Sequence, residues 1–75
     1  MINYDINTEE GMRNAIEWTE RCLGKLKDGG VWYVPRSCTV VQIISHDRKE
    51  LKLVSIIPDR SIRLVLAAAG WTFIK

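Results

Sequence analysis

The sequence predicts an α+β domain: a mainly antiparallel sheet of three or four strands with one long N-terminal helix and one short helix, in the order αβββαβ. Three observations predict it. An apolar stripe at helical spacing fills the first third of the chain, β-branched runs follow, and a second helical pattern precedes a short apolar C-terminus. The 75 residues contain no linker or internal repeat, so residues 1–75 form a single domain.

The first helix is predicted from Thr8 to Asp28. Asn7 is the expected N-cap, with Glu10 three residues on, and the pair Gly29 and Gly30 ends the helix. Its apolar stripe consists of Met12, Ala15, Ile16, Thr19, Cys22, Leu23 and Leu26.

The remaining elements are three strands, a short helix and a terminal strand. We predict strands at Val31–Val34, Cys38–Ser45, Leu51–Ile57 and Trp71–Ile74. The short helix begins after Pro58, with Asp59 or Ser61 as its cap, and ends at Ala69 before Gly70. We expect the long helix across one sheet face and the short helix against an edge or end.

The two middle strands are apolar on both sides. In one strand Val40 and Ile44 alternate with Val41 and Ile43; in the next, Leu51, Leu53 and Ile57 alternate with Val54 and Ile56. A strand with one face in water would alternate apolar with polar residues. The second face therefore needs a cover, which could be a second copy, a partner protein or the helices themselves.

Composition and size favour a globular protein that associates. An apolar fraction of 47% and a charged fraction of 27% are ordinary for globular proteins. A domain this small buries only about 60% of its unfolded surface, and oligomerisation is a common supplement. Cys22 and Cys38 are expected to be reduced thiols.

The N-terminus MINYDINTEE is acidic and polar, unlike a secretory signal. No apolar run approaches the roughly 18 residues of a membrane span. We therefore expect a cytoplasmic protein without a membrane role.

Catalytic and metal motifs are missing from the sequence. His46 is the single histidine, and no pair of cysteines or histidines has zinc spacing. Cys38 and His46 are too far apart along an extended strand to act as nucleophile and base. We expect no enzyme activity, no cofactor and no metal.

Four residues are candidate contacts for a protein partner: Trp18, Arg21, Trp32 and Arg36. Trp18 lies opposite the apolar stripe of the first helix, so it should project from the polar face as an anchor or lie against the Arg21 stem. Trp32, Tyr33 and Arg36 form the residue mixture enriched at binding hot spots. The alternatives are stacking on bases, or one aromatic in the core and the other at a half-buried edge.

Charge is distributed unevenly and supports an alternative, nucleic-acid binding. Residues 1–24 hold two basic and five acidic residues, a net charge of −3, whereas residues 25–75 hold nine basic and four acidic residues, a net charge of +5. The candidate phosphate contacts are Arg36, Arg48, Lys49, Lys52, Arg60 and Arg63. The total of +2 is far below that of a dedicated nucleic-acid binder.

The runs Gly29-Gly30-Val31-Trp32-Tyr33-Val34-Pro35-Arg36-Ser37 and Ala68-Ala69-Gly70-Trp71-Thr72 resemble small uncharacterised accessory proteins of tailed bacteriophages. The resemblance implies a regulatory protein of the host-cell cytoplasm. Such a protein binds and inhibits or redirects a host protein such as RNA polymerase or a defence nuclease. The matching residues belong to turns and packing, so no site residue is carried over. A structural homodimer is the third hypothesis, and the target stays open.

Overall fold

The computed structural model describes residues 1–35, 37–55 and 59–74. The elements in these ranges are α1 (Glu9–Gly24), β1 (Val31–Tyr33), β2 (Val40–Ser45), β3 (Glu50–Leu53), α2 (Arg60–Ala68) and β4 (Thr72–Phe73). The predicted α+β class and the order αβββαβ are confirmed.

Helix α1 is shorter than predicted at both ends. Its N-cap is Thr8, not Asn7: the extended Thr8 accepts a hydrogen bond at its hydroxyl from the Gly11 amide at 3.0 Å. The helix ends at Gly24 rather than Asp28. The hydrogen bonds that follow span three residues instead of the four of an α-helix. The Lys25 amide donates to the Cys22 carbonyl, and the Leu26 amide donates to the Leu23 carbonyl.

The N-terminal segment, residues 1–8, folds back along α1. Asn14 Nδ2 donates to the Asn3 carbonyl at 2.9 Å, and Ile6 packs against the core. This return of the chain, which the sequence pattern did not indicate, covers a side of α1 that we expected to face water.

The four strands form one sheet in the order β1-β2-β3-β4. The β1–β2 and β2–β3 pairs are antiparallel and β3–β4 is parallel, so the sheet is mixed rather than purely antiparallel. The parallel pair follows from α2, because a helix between two adjacent strands returns the chain in the same direction. An irregularity between Ile43 and Ser45 interrupts the β2–β3 register.

Helix α2 is capped by Asp59, whose carboxylate accepts from the Ser61 amide at 2.7 Å. Gly70, at φ +94, follows the C-cap residue Ala69 and turns the chain into β4. Helix α2, expected against an edge or end of the sheet, also packs beside α1. It places Ile62, Val65 and Leu66 in the common core.

The strands are shorter than predicted. β1 ends at Tyr33, β2 begins at Val40, β3 ends at Leu53 and β4 covers only Thr72–Phe73. The predicted continuation of the third strand to Ile57 lies in part outside the described residues, as does Pro58.

The core lies on one side of the sheet, because both helices pack there. Its largest fully buried side chains include Leu23 of α1, Leu66 of α2, and Val41, Ile43 and Leu51 of the sheet. Burying each such side chain contributes about 1.5–3 kcal/mol.

Within the described ranges, neither helix is long and apolar enough to cross a bilayer.

Candidate protein-binding surface

The sheet has a covered and an uncovered face. Trp32, Val41, Ile43 and Leu51 point toward the helices and are buried. The opposite side, here called the outer face, carries Val31, Tyr33, Val40, Gln42, Glu50, Lys52, Val54, Thr72 and Ile74, with Ile44 at the register irregularity. No described residue of either helix covers it. The predicted alternation of Val40 and Ile44 with Val41 and Ile43 is confirmed.

Strand pairing aligns three apolar side chains across the outer face. Tyr33 pairs with Val40, and the Val54 amide donates to the Val40 carbonyl at 2.8 Å. Tyr33 is 74% exposed and Val54 51% exposed. The three side chains form a row, here called the apolar row, that presents an aromatic ring beside two β-branched groups.

Polar residues occupy the next positions across the outer face. Gln42 pairs with Val31 on one side and Lys52 on the other, and its amide donates to the Gly29 carbonyl at 3.1 Å. Val31 and Ile74 are both 37% exposed at the two edges. The surface is therefore apolar at one end and at both edges, with a polar centre.

An exposed ion pair lies at the end of the sheet away from the apolar row. Arg48 Nε donates to Glu50 Oε1 at 2.8 Å, and this hydrogen bond raises the pKa of the Arg48 guanidinium above its ordinary value. Because the arginine is exposed, the pair is screened by salt. Arg48, one of the residues proposed to contact phosphate, is therefore paired with a carboxylate of the same chain.

Trp18 does not project from a polar face, so that expectation was wrong. The residue is half-buried and packs against the core. Its ring centroid lies 5.4 Å from that of Trp32, edge to face, and 6.3 Å from that of Tyr4. The returning N-terminal segment places Tyr4 there and converts an exposed position into an aromatic cluster.

Arg21 and Trp32, the other predicted contact residues that the structure describes, are not brought together. Trp32 is 9% exposed on the helix side of the sheet, so it cannot reach a partner while β1 stays folded. Its neighbour Tyr33 is the exposed member of the pair. Arg21 is exposed in the last turn of α1, where a cation complements the helix dipole. Arg36 lies outside the described residues.

The described basic residues proposed for phosphate contact lie on β3, on α2 and in the turn between β2 and β3. Lys52 is exposed on the outer face, whereas Arg60 and Arg63 are exposed on α2. The Arg63 guanidinium lies 5.2 Å from the Phe73 ring centroid, and Lys49 Nζ donates to the Ala69 carbonyl at 2.6 Å. Lys52 and Arg63 line one shallow depression beside Phe73, and Arg60 and Arg63 line another on α2.

The charged turn after β2 connects structural elements. His46 Nε2 lies 2.7 Å from the Leu26 carbonyl and therefore donates to it, while the His46 amide donates to Asp28 Oδ1 at 3.0 Å. The histidine ring packs edge to face on Trp71 at 5.8 Å between centroids. The turn thus fixes the chain that follows α1 against the sheet.

The cysteines and acidic residues show no metal or redox arrangement. Cys22 is half-buried, Cys38 is exposed, and both are free thiols. Among the residues that the structure describes, no group of three or more histidine, cysteine and carboxylate side chains could hold a metal ion.

Tyr33 is exposed on the outer face but was not among the four residues predicted to contact a protein partner. Tyr33 alternates with Trp32 along the strand, so burial of one aromatic exposes the other, but the sequence left open which one is buried. Once Trp32 is buried, its neighbour must point to the outer face.

Comparisons of the chain with protein-family models, curated proteins and solved structures found no match.

Proposed function

We propose that this protein is a non-enzymatic regulatory protein that binds another protein through the outer face of its sheet. The observation that carries the proposal is the uncovered apolar row of Tyr33, Val40 and Val54. Exposed apolar patches of this kind mark interaction sites in small proteins. The two-sided apolar pattern of β2 gives independent support, since a strand selected to face water would be polar on one side.

The chemistry of the surface favours a protein over a nucleic acid as partner. Tyrosine is enriched at binding hot spots, and an apolar patch beside a polar region is the usual anatomy of a protein interface. The described residues of the outer face include one basic side chain, Lys52. Phosphate binding would need several basic residues on one surface.

The resemblance to phage accessory proteins makes a bacterial host protein the expected partner. Occlusion of a host protein's working surface is a mechanism that needs no catalytic group in this chain. A second copy of the chain is the competing partner for the same outer face. Nucleic-acid binding by the basic residues stays a further prediction.

The test compares capture by three tagged proteins: wild type, Val54→Lys and Leu64→Lys. Val54 and Leu64 are 51% and 53% exposed, but Leu64 lies on α2, away from the outer face. The two variants are therefore matched in chemistry and exposure. Each is first checked for folding by circular dichroism and for mass by light scattering, then incubated with bacterial lysate, both untreated and nuclease-treated.

We expect wild type and Leu64→Lys to retain one dominant protein and Val54→Lys to lose it. Equal capture by all three would contradict the outer-face proposal. Loss of every captured component on nuclease treatment would favour nucleic acid. A wild-type dimer that captures nothing and becomes monomeric on Val54→Lys substitution would assign the face to self-association.

A further inference from the structure

A concave site, separate from the outer face, lies on the helix side of the molecule. It is a cleft of about 440 Å³ between the N-terminal segment, α1, the chain after β1 and the start of α2. Sites for small molecules usually enclose about 300–1,000 Å³. Elements distant in sequence meet there, as they do in many ligand sites.

Much of the cleft wall is apolar, and two aromatic side chains, Tyr4 and Trp18, belong to it. Trp18 lines it together with Val34, Ile62 and Val65. The contacts of Trp18 with Trp32 and Tyr4 hold its ring in place before any ligand arrives. A ring fixed in this way loses little conformational entropy when a flat ligand packs on it.

The lining also contains polar groups with unused hydrogen-bonding capacity. Thr19 is fully buried, and its Oγ1 has no hydrogen-bond partner among the described residues. Asp59 is the one charged residue in the described lining. Its Oδ1 accepts from the Ser61 amide, which leaves further acceptor positions on the carboxylate.

We propose that this cleft binds a small aromatic amine, with the ring against Trp18 and the ammonium group near Asp59. A carboxylate beside an apolar wall attracts a cation more strongly than it would in open water. An aromatic face adds to this attraction. The same carboxylate disfavours an anionic ligand, and it is the charged group that the described lining contributes. The inference is independent of the outer-face proposal.

The test uses three probes that share one ring system: tryptamine, indole and indole-3-acetate. Each is titrated into the full ¹⁵N-labelled protein while backbone amide shifts are followed by NMR. We expect tryptamine to give saturable shifts at Thr19, Val34 and Ile62, with a Kd about tenfold below that of indole-3-acetate. The Val54→Lys variant should bind tryptamine as wild type does.

Asp59→Asn supplies the decisive variant because asparagine is as good an N-cap as aspartate, so α2 should persist. The substitution should raise the Kd for tryptamine about tenfold while leaving that for indole unchanged. The proposal is overturned if the three probes leave the cleft amides unshifted at millimolar concentration. It is also overturned if tryptamine and indole-3-acetate bind equally, or if Asp59→Asn does not change tryptamine binding.

Discussion

Lys49 occupies the turn between β2 and β3 with φ at 51°, a left-handed conformation that is uncommon for a residue with a side chain. Its ammonium group donates to the Ala69 carbonyl at 2.6 Å and lies 5.7 Å from the centroid of the Trp71 ring. A cation at the carboxyl end of α2 also complements the helix dipole. These contacts connect the turn between β2 and β3 to the end of α2. They offset the conformational cost of the left-handed backbone at Lys49.

Replacing Lys49 by methionine should lower the free energy of unfolding by about 1 kcal/mol, since the stem is kept while the hydrogen bond is lost. Lys52→Met, on the exposed outer face, should change it by less than about 0.5 kcal/mol. Urea denaturation followed by tryptophan fluorescence measures both. Equal effects at the two positions would show that the Lys49 contacts do not stabilise the fold.

The Thr19 hydroxyl is expected to destabilise the fold, because it is buried without a hydrogen-bond partner in the described structure. Valine has nearly the same shape and removes the unsatisfied group. Thr19→Val should therefore raise the free energy of unfolding by about 1 kcal/mol. Chemical denaturation tests this, and a loss of stability would mean that the hydroxyl has a partner in solution.

At the scale of the elements, α1 shows that two glycines in one helix can have opposite roles. A Cβ at Gly11 would overlap the Asp5 carbonyl oxygen, because the N-terminal segment approaches the helix there. At Gly24 a Cβ would meet nothing within 4 Å. Gly11 is therefore required by the fold, whereas Gly24 only lowers helix propensity.

Gly24→Ala should raise the free energy of unfolding by about 0.5–1 kcal/mol, the usual gain in helix propensity. Gly11→Ala should lower it by at least about 1 kcal/mol, because the N-terminal segment must move away. The matched pair is measured by thermal and urea unfolding. Similar stabilities for the two variants would contradict the described path of residues 1–8.

The core side of the sheet could not be predicted, because both middle strands are apolar on both sides. Element types and their order could be predicted from the helical spacing of apolar residues and the β-branched runs. The position of Trp18 could not. A helical wheel treats α1 as an isolated cylinder, and Asn3 and Tyr4 reach it only through a turn involving Asp5 and Thr8. The parallel pairing of β4 was also missed, since two residues of strand carry no signal of direction.

For the whole molecule, the decisive property is that both helices lie on one side of a four-stranded sheet. Among residues 1–35, 37–55 and 59–74, no further helix or strand covers the other side. The outer face follows from this arrangement together with the two-sided apolar pattern of the middle strands. Its apolar row could be anticipated from sequence, except that Tyr33 rather than Trp32 is the exposed aromatic.

The two tyrosines allow the most direct test of the outer face, because they lie on opposite sides of the molecule. Tyr33 is 74% exposed on the outer face, and Tyr4 is 46% exposed beside Trp18. Nitration of the tagged protein, free and in nuclease-treated lysate, is quantified at each tyrosine by mass spectrometry. We predict that bound partner suppresses nitration of Tyr33 and leaves Tyr4 unchanged. Protection of Tyr4 with Tyr33 still reactive would contradict the account and place the binding surface on the helix side.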